Sequence, residues 1–208
     1  MKTKKIIVLA LLAILVSSCI CWGVRDVDCY LTDVQKQFIP YKEGQVFSFT
    51  KSTGQTLDFT VSGVQVVPFE YRLGAYCTVY VVGEEKFASL RSESGTYRIN
   101  IRSTFNSSHS CCGYRSLQIS ITNMVFVLNA GNEGVFLISD DFTFLFDSLE
   151  INGKVYYDVV KQKRLQWHNV PIGSDERLEP TSWQLFYNKT YGILQIKRDG
   201  ENFLVLNN

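Results

Sequence analysis

Residues 47–62 read FSFTKSTGQTLDFTVS. Phe47 and Phe49 alternate with Ser48 and Thr50, the turn residues Ser52, Thr53 and Gly54 follow, and then Leu57, Phe59 and Val61 alternate with Asp58, Thr60 and Ser62. Successive side chains of a strand point to opposite faces, so this period of two predicts a hairpin with one apolar and one wet face. At Gly63 the parity changes, because the next apolar residues are Val64 and Val66. One inserted residue there predicts a β-bulge that bends the sheet.

The same pattern extends along the chain. Tyr76 to Val82 is a nearly continuous apolar run, Tyr97, Ile99 and Ile101 alternate with arginines and Asn100, and Leu117, Ile119 and Ile121 lead into the apolar stretch Met124 to Leu128. Val135 to Ile138 and Phe142 to Phe146 flank Asp140 and Asp141 at a turn. Asn152–Gly153 and Asp199–Gly200 each separate two strand-like runs, and both pairs tolerate the positive φ of a type I′ turn. About ten to twelve strands follow from this spacing, joined by tight turns. The expected fold is therefore all-β: an antiparallel, mostly up-and-down meander forming a curved sheet, barrel or sandwich. Neighbouring hairpins dominate, which favours the curved sheet or barrel. One short helix is allowed before Pro40, where Val27, Leu31, Val34 and Phe38 fall at helical spacing. Residues 103–116 and 163–182 read as long polar loops.

The chain has 208 residues, 46% hydrophobic, 20% charged and 13% aromatic. This supports one globular domain with a real core and excludes intrinsic disorder. The formal charge is +1, yet Lys2, Lys4 and Lys5 lie in the first 18 residues with no acid, so the remainder carries −2. A basic nucleic-acid surface is thereby excluded as a partner site.

The opening MKTKKIIVLALLAILVSSC places three lysines before an apolar run from Ile6 to Val16. That run is about half of the ~20 residues a spanning helix needs and matches a signal-peptide core. Val16, Ser17, Ser18 and Cys19 resemble the lipobox of bacterial lipoproteins. The resemblance implies cleavage after residue 18 and acylation of Cys19, whose lipid chains hold the protein at a membrane without a transmembrane helix. The domain plan is then a signal peptide at 1–18, a lipidated tether at 19–40 and a single β domain at 41–208. Ile20 follows Cys19 where a retention signal would place Asp, so the favoured location is the periplasmic leaflet of the outer membrane, with surface exposure as the alternative.

With Cys19 on lipid, five cysteines remain, an odd number: Cys21, Cys29, Cys77, Cys111 and Cys112. Cys77 falls in a β-like run and Cys111 and Cys112 in a loop, so a disulfide from Cys77 to Cys111 or Cys112 is reasonable, though spacing does not fix connectivity. His109 beside Cys111 and Cys112 suggests a metal, but adjacent cysteines chelate poorly and the second histidine, His168, lies far along the chain. No metal or cofactor is expected.

Catalytic signatures are missing from the sequence: it contains no nucleophile elbow, phosphate loop, dinucleotide fingerprint or zinc helix. His109 and His168 sit in loops and read as solvated. Paired carboxylates could serve glycoside hydrolysis, but Asp140–Asp141 and Glu84–Glu85 read as solvated turns. The aromatics Tyr156, Tyr157, Trp167, Trp183, Phe186, Tyr187 and Tyr191 are expected to be mostly core, with some available to stack on sugars.

Three further stretches carry a family resemblance. FIPYKEGQVFSFTKSTGQTLDFTV at 38–61, with INGKVYYDVVK at 151–161 and FYNKTYGILQIKRDGENFLVL at 186–206, resembles small uncharacterised envelope lipoproteins of Bacteroidetes. With the lipobox it covers about a third of the chain and implies an envelope location and an all-β fold, and no catalytic residues. The expected role is a lipid-anchored, non-enzymatic binding or accessory module whose partner is an envelope protein, a glycan or an apolar ligand. The alternatives are a polysaccharide hydrolase with unrecognised carboxylates and a structural subunit of an envelope complex.

Overall fold

The computed structural model describes residues 25–73, 79–105, 114–121, 124–131, 133, 135–138, 140–166 and 180–207. Thirteen strands and one helical turn lie among them: β1 Arg25–Cys29, α1 Asp33–Lys36, β2 Val46–Thr50, β3 Thr56–Leu73, β4 Val79–Ser92, β5 Arg98–Phe105, β6 Tyr114–Ile121, β7 Met124–Gly131, β8 Phe136–Leu137, β9 Thr143–Ile151, β10 Lys154–Gln166, β11 Thr181–Asn188, β12 Gly192–Arg198 and β13 Glu201–Leu206. The chain divides into a smaller unit, Met1–Tyr30 with Pro68–Glu84, and a larger one, Leu31–Val67 with Glu85–Asn208.

In the smaller unit β1 pairs with β4 in parallel, from Arg25↔Val79 to Cys29↔Gly83. Among the registers of the described residues it alone is parallel, a departure from the wholly antiparallel expectation. Cys29 is fully buried and disulfide-bonded, with a partner outside the described residues. A β-carbon on Gly83 would run into the Cys29 carbonyl oxygen, so this strand pair closes only over glycine.

The larger unit is the expected antiparallel meander, curled into a nearly closed, barrel-like sheet. The strand order is β8-β7-β6-β5-β4-β3-β2-β13-β12-β11-β10-β9. Every neighbour is consecutive in sequence except β2 and β13, which join the two ends of the chain through Val205↔Thr50 and Leu206↔Phe49. Asn207 extends that ladder, its N–H donating to Ser48 O at 2.8 Å. The ends of the sheet, β8 and β9, are themselves consecutive, so the barrel's seam falls inside one loop and not between the termini. Gln162 bridges the seam. It is fully buried on β10, its Nε2 donates to Val127 O at 2.6 Å and its Oε1 accepts from Val127 N at 2.7 Å on β7. A side-chain amide there supplies the donor and acceptor that a neighbouring strand would otherwise offer.

Local chemistry matches the sequence in detail. The Asn152–Gly153 turn has φ of 53° and 76° and joins Ile151 to Lys154, and Asp199–Gly200 has φ of 51° and 85° between Arg198 and Glu201. Val61 is core and Val64 packs against the core three residues later, the change of parity predicted around Gly63. The run Leu117 to Leu128 divides into β6 and β7, paired from Ile121↔Met124, where the sequence showed no turn signal.

The helix is shorter than its periodicity suggests. Val27 lies in β1, Val34 is 40% exposed, and only Asp33–Lys36 is helical, started by a capping box between Thr32 and Gln35. Residues 31–40, assigned by sequence to the tether, place Leu31, Phe38 and Ile39 among the buried residues of the larger unit. The Phe38 ring meets Phe136 edge-on at 4.9 Å, and Phe136 meets Tyr187 at 5.9 Å. Burying Phe38 and Ile39 contributes about 2 kcal/mol each. Four hydrogen bonds hold the segment: Tyr187 OH donates to Phe38 O, Ile193 N donates to Tyr41 OH at 2.8 Å, and Lys86 Nζ donates to Lys36 O and Ile39 O at 2.9 and 2.7 Å.

Burial, and then the nearby Lys36 charge, hold the Lys86 pKa below its ordinary 10.5. The folded state therefore binds fewer protons at this site than the unfolded chain, and this contribution to stability rises with pH up to the ordinary lysine value. Lys86→Met is expected to cost about 2 kcal/mol in urea unfolding through its lost hydrogen bonds and to flatten that rise; equal stability and an unchanged pH slope would contradict the anchoring role.

Candidate functional site

The faces of β4, β5 and β6 are sorted by parity. Ala88, Leu90, Ile99, Ile101, Leu117 and Ile119 enter the core. Ser89 pairs with Asn100 and Asn100 with Ser120, while Phe87 pairs with Arg102 and Arg102 with Gln118, so two rows of side chains cross the opposite face in register. Ser62, Gln65 and Val67 of β3 border the same space, and together these strands shape a concavity of about 710 Å³. That volume suits a small ligand or a few sugar rings.

The lining is ordered by its own hydrogen bonds. Ser62 Oγ donates to Ser89 O at 3.1 Å, and Ser89 Oγ donates to Asn100 Oδ1 at 3.0 Å, which fixes the Asn100 amide with its NH₂ still a donor group. Arg102 lies over the Phe87 ring at 5.0 Å and donates through Nε to Glu85 Oε2 at 2.9 Å, with a second bond from Nη2. Thr104 Oγ1 donates to the other oxygen, Glu85 Oε1, at 2.7 Å. Glu85 is 8% exposed, and this three-bond cradle is what permits a carboxylate to be buried there.

That geometry corrects the reading of Glu84–Glu85 as a solvated turn. Both lie within β4, and Glu85 is a buried positioning group for Arg102. Sequence alternation alone could have placed Arg102 and Glu85 on one face, but not their pairing across strands. Asp140 behaves as a turn residue, its Oδ1 accepting from Phe142 N at 3.1 Å and Thr143 Oγ1 at 2.7 Å, and Asp141 is exposed. Of the aromatics, Tyr156, Trp183, Phe186 and Tyr187 are buried, whereas Tyr157 is 68% exposed. Cys19, Cys77, Cys111, Cys112, His109, His168 and Trp167 lie outside the described residues. The lipidation of Cys19 and a disulfide from Cys77 to Cys111 or Cys112 are therefore not placed by the structure. Among the described residues no three His, Cys, Asp or Glu side chains group as metal ligands.

The concavity can donate and accept hydrogen bonds through Gln65, Ser89, Asn100, Gln118 and Ser120, and Arg91 adds a guanidinium charge, while that of Arg102 is balanced by Glu85. Among its described lining residues there is no Asp or Glu, the groups that acid–base cleavage of a glycoside requires. No family model, curated protein or solved structure matches the chain.

Proposed function

We propose that the protein is a lipid-anchored component of a bacterial cell envelope whose β domain binds a glycan in the concavity of β3 to β6 without cleaving it. The observation that carries the reading is the lining itself: rows of amides and hydroxyls in strand register, with two arginines and Phe87. Planar amides and guanidiniums on a rigid sheet suit a polyhydroxylated ligand, since each sugar hydroxyl both donates and accepts. Ligand carriage inside the sheet is disfavoured because Phe38, Ile39, Phe126 and Tyr187 pack into that core.

The anchor rests on Val16–Cys19 and the apolar run before it, and the envelope setting on the resemblance to Bacteroidetes lipoproteins. The periplasmic leaflet of the outer membrane is the location this supports best. A polymer of that compartment, present at high local concentration, is within reach of a tethered domain that binds each copy weakly.

Two measurements test the proposal. Titration calorimetry with soluble oligosaccharides released from envelope polysaccharide is expected to show binding that weakens about thirtyfold in Asn100→Ala/Gln118→Ala, two hydrogen bonds at ~1 kcal/mol each. Binding that is undiminished in the double variant, or absent for every oligosaccharide, would overturn the glycan reading. Separately, cells fed a clickable palmitate analogue are expected to label the wild-type chain and not Cys19→Ala; equal labelling of both would remove the anchor.

A further inference from the structure

The seam of the larger unit is closed at Gln162 and open further along. β8 has two residues, Phe136 and Leu137, paired only with Ala130 and Asn129, whereas β9 on the other side runs nine residues, Thr143–Ile151. β9 ends the strand order and, among the described residues, is paired with β10 alone. Its outward edge therefore presents a row of main-chain donors and acceptors.

The side chains of β9 carry the mark of a strand missing beside it. Leu145 pairs with Val160, a fully buried core residue, so both share the core face, yet Leu145 is 45% exposed. A cleft of about 170 Å³ opens there, lined by Val135, Phe136, Leu145, Asp147, Asp158 and Lys189. Val135 is 52% exposed at its margin. Asp147 and Asp158 lie between the pairs Ser148↔Tyr157 and Phe146↔Val159, where Asp158 takes a φ of 52° and interrupts the regular ladder. Two carboxylates face one ammonium in this cleft, which leaves an excess of negative charge.

We infer that the β9 edge receives an extended segment of a partner protein, added as a further strand, with apolar side chains toward Leu145 and a lysine or arginine toward Asp147. Main-chain bonds to β9 supply the affinity and the apolar and acidic positions supply the selectivity. The charge argues against a second copy of this chain as occupant. Antiparallel pairing of two full-length β9 strands centres on residue 147, which sets Asp147 against Asp147, and like charges directly opposite are destabilising. A basic strand turns that same position into an attractive one. The surface is separate from the β3 to β6 concavity, so either assignment can fail without the other.

Hydrogen–deuterium exchange of the full chain with two nine-residue peptides of alternating threonine and valine tests this, one with lysine and one with glutamate at the centre. The lysine peptide is expected to slow exchange across residues 143–151 and to bind about tenfold more tightly than the glutamate peptide, a preference that Asp147→Lys reverses. Asp147 is exposed, so that variant keeps the fold. Slow exchange of 143–151 in the free chain, equal affinity for the two peptides, or self-association that protects β9 would each overturn the inference.

Discussion

The buried amide of Gln162 on the main chain of Val127 is the contact on which the sheet's closure turns. A twelve-strand meander has two edges, and a curled sheet brings them face to face. Here the edges do not meet as a continuous ladder, because β8 is only two residues long. Without Gln162, the Val127 N–H and C=O would face the seam with no strand to bond them, beside the core residues Phe126 and Leu128. Orphaned backbone groups in such a place cost about 1–3 kcal/mol each. One side chain thus meets a requirement that elsewhere takes a strand.

The consequences reach both surfaces assigned a role. Closure commits the inner face to packing, and the segment from Leu31 to Tyr41 adds Phe38 and Ile39 to that core, fixed by Lys86 and two tyrosines. A ligand is thereby directed to the outer face, where parity has already sorted Ser89, Asn100, Arg102, Gln118 and Ser120. The same closure is local: it ties the seam at Val127, and beyond it no described strand but β10 pairs with β9. The face proposed for glycan and the edge proposed for a partner strand both follow from where the core was sealed.

The alternation at 47–62 and the two turn pairs made the sheet and its hairpins legible, because strand period and positive φ are written in single residues. What could not be read depends on contacts between distant residues. Nothing local distinguishes Gln162 from the other polar residues of β10, and its role exists only once Val127 is brought opposite. The parallel β1–β4 pair was hidden by Val27, Leu31, Val34 and Phe38, whose helical spacing spans a strand, one helical turn and a buried aromatic. Glu85 looked like a turn residue beside Gly83 because the arginine that permits its burial lies 17 positions away. The site's residue types were visible in the strands; their assembly into one concavity was not.

Native-state amide exchange at Val127 in wild type and Gln162→Leu tests closure by this amide most directly. The wild-type Val127 amide is predicted to exchange as slowly as core amides such as Ile119, and the variant to lose that protection together with about 3 kcal/mol of stability, the result of two orphaned main-chain groups. Protection at Val127 that survives the substitution would show that the seam is sealed by something other than Gln162, and the account of the fold would fail with it.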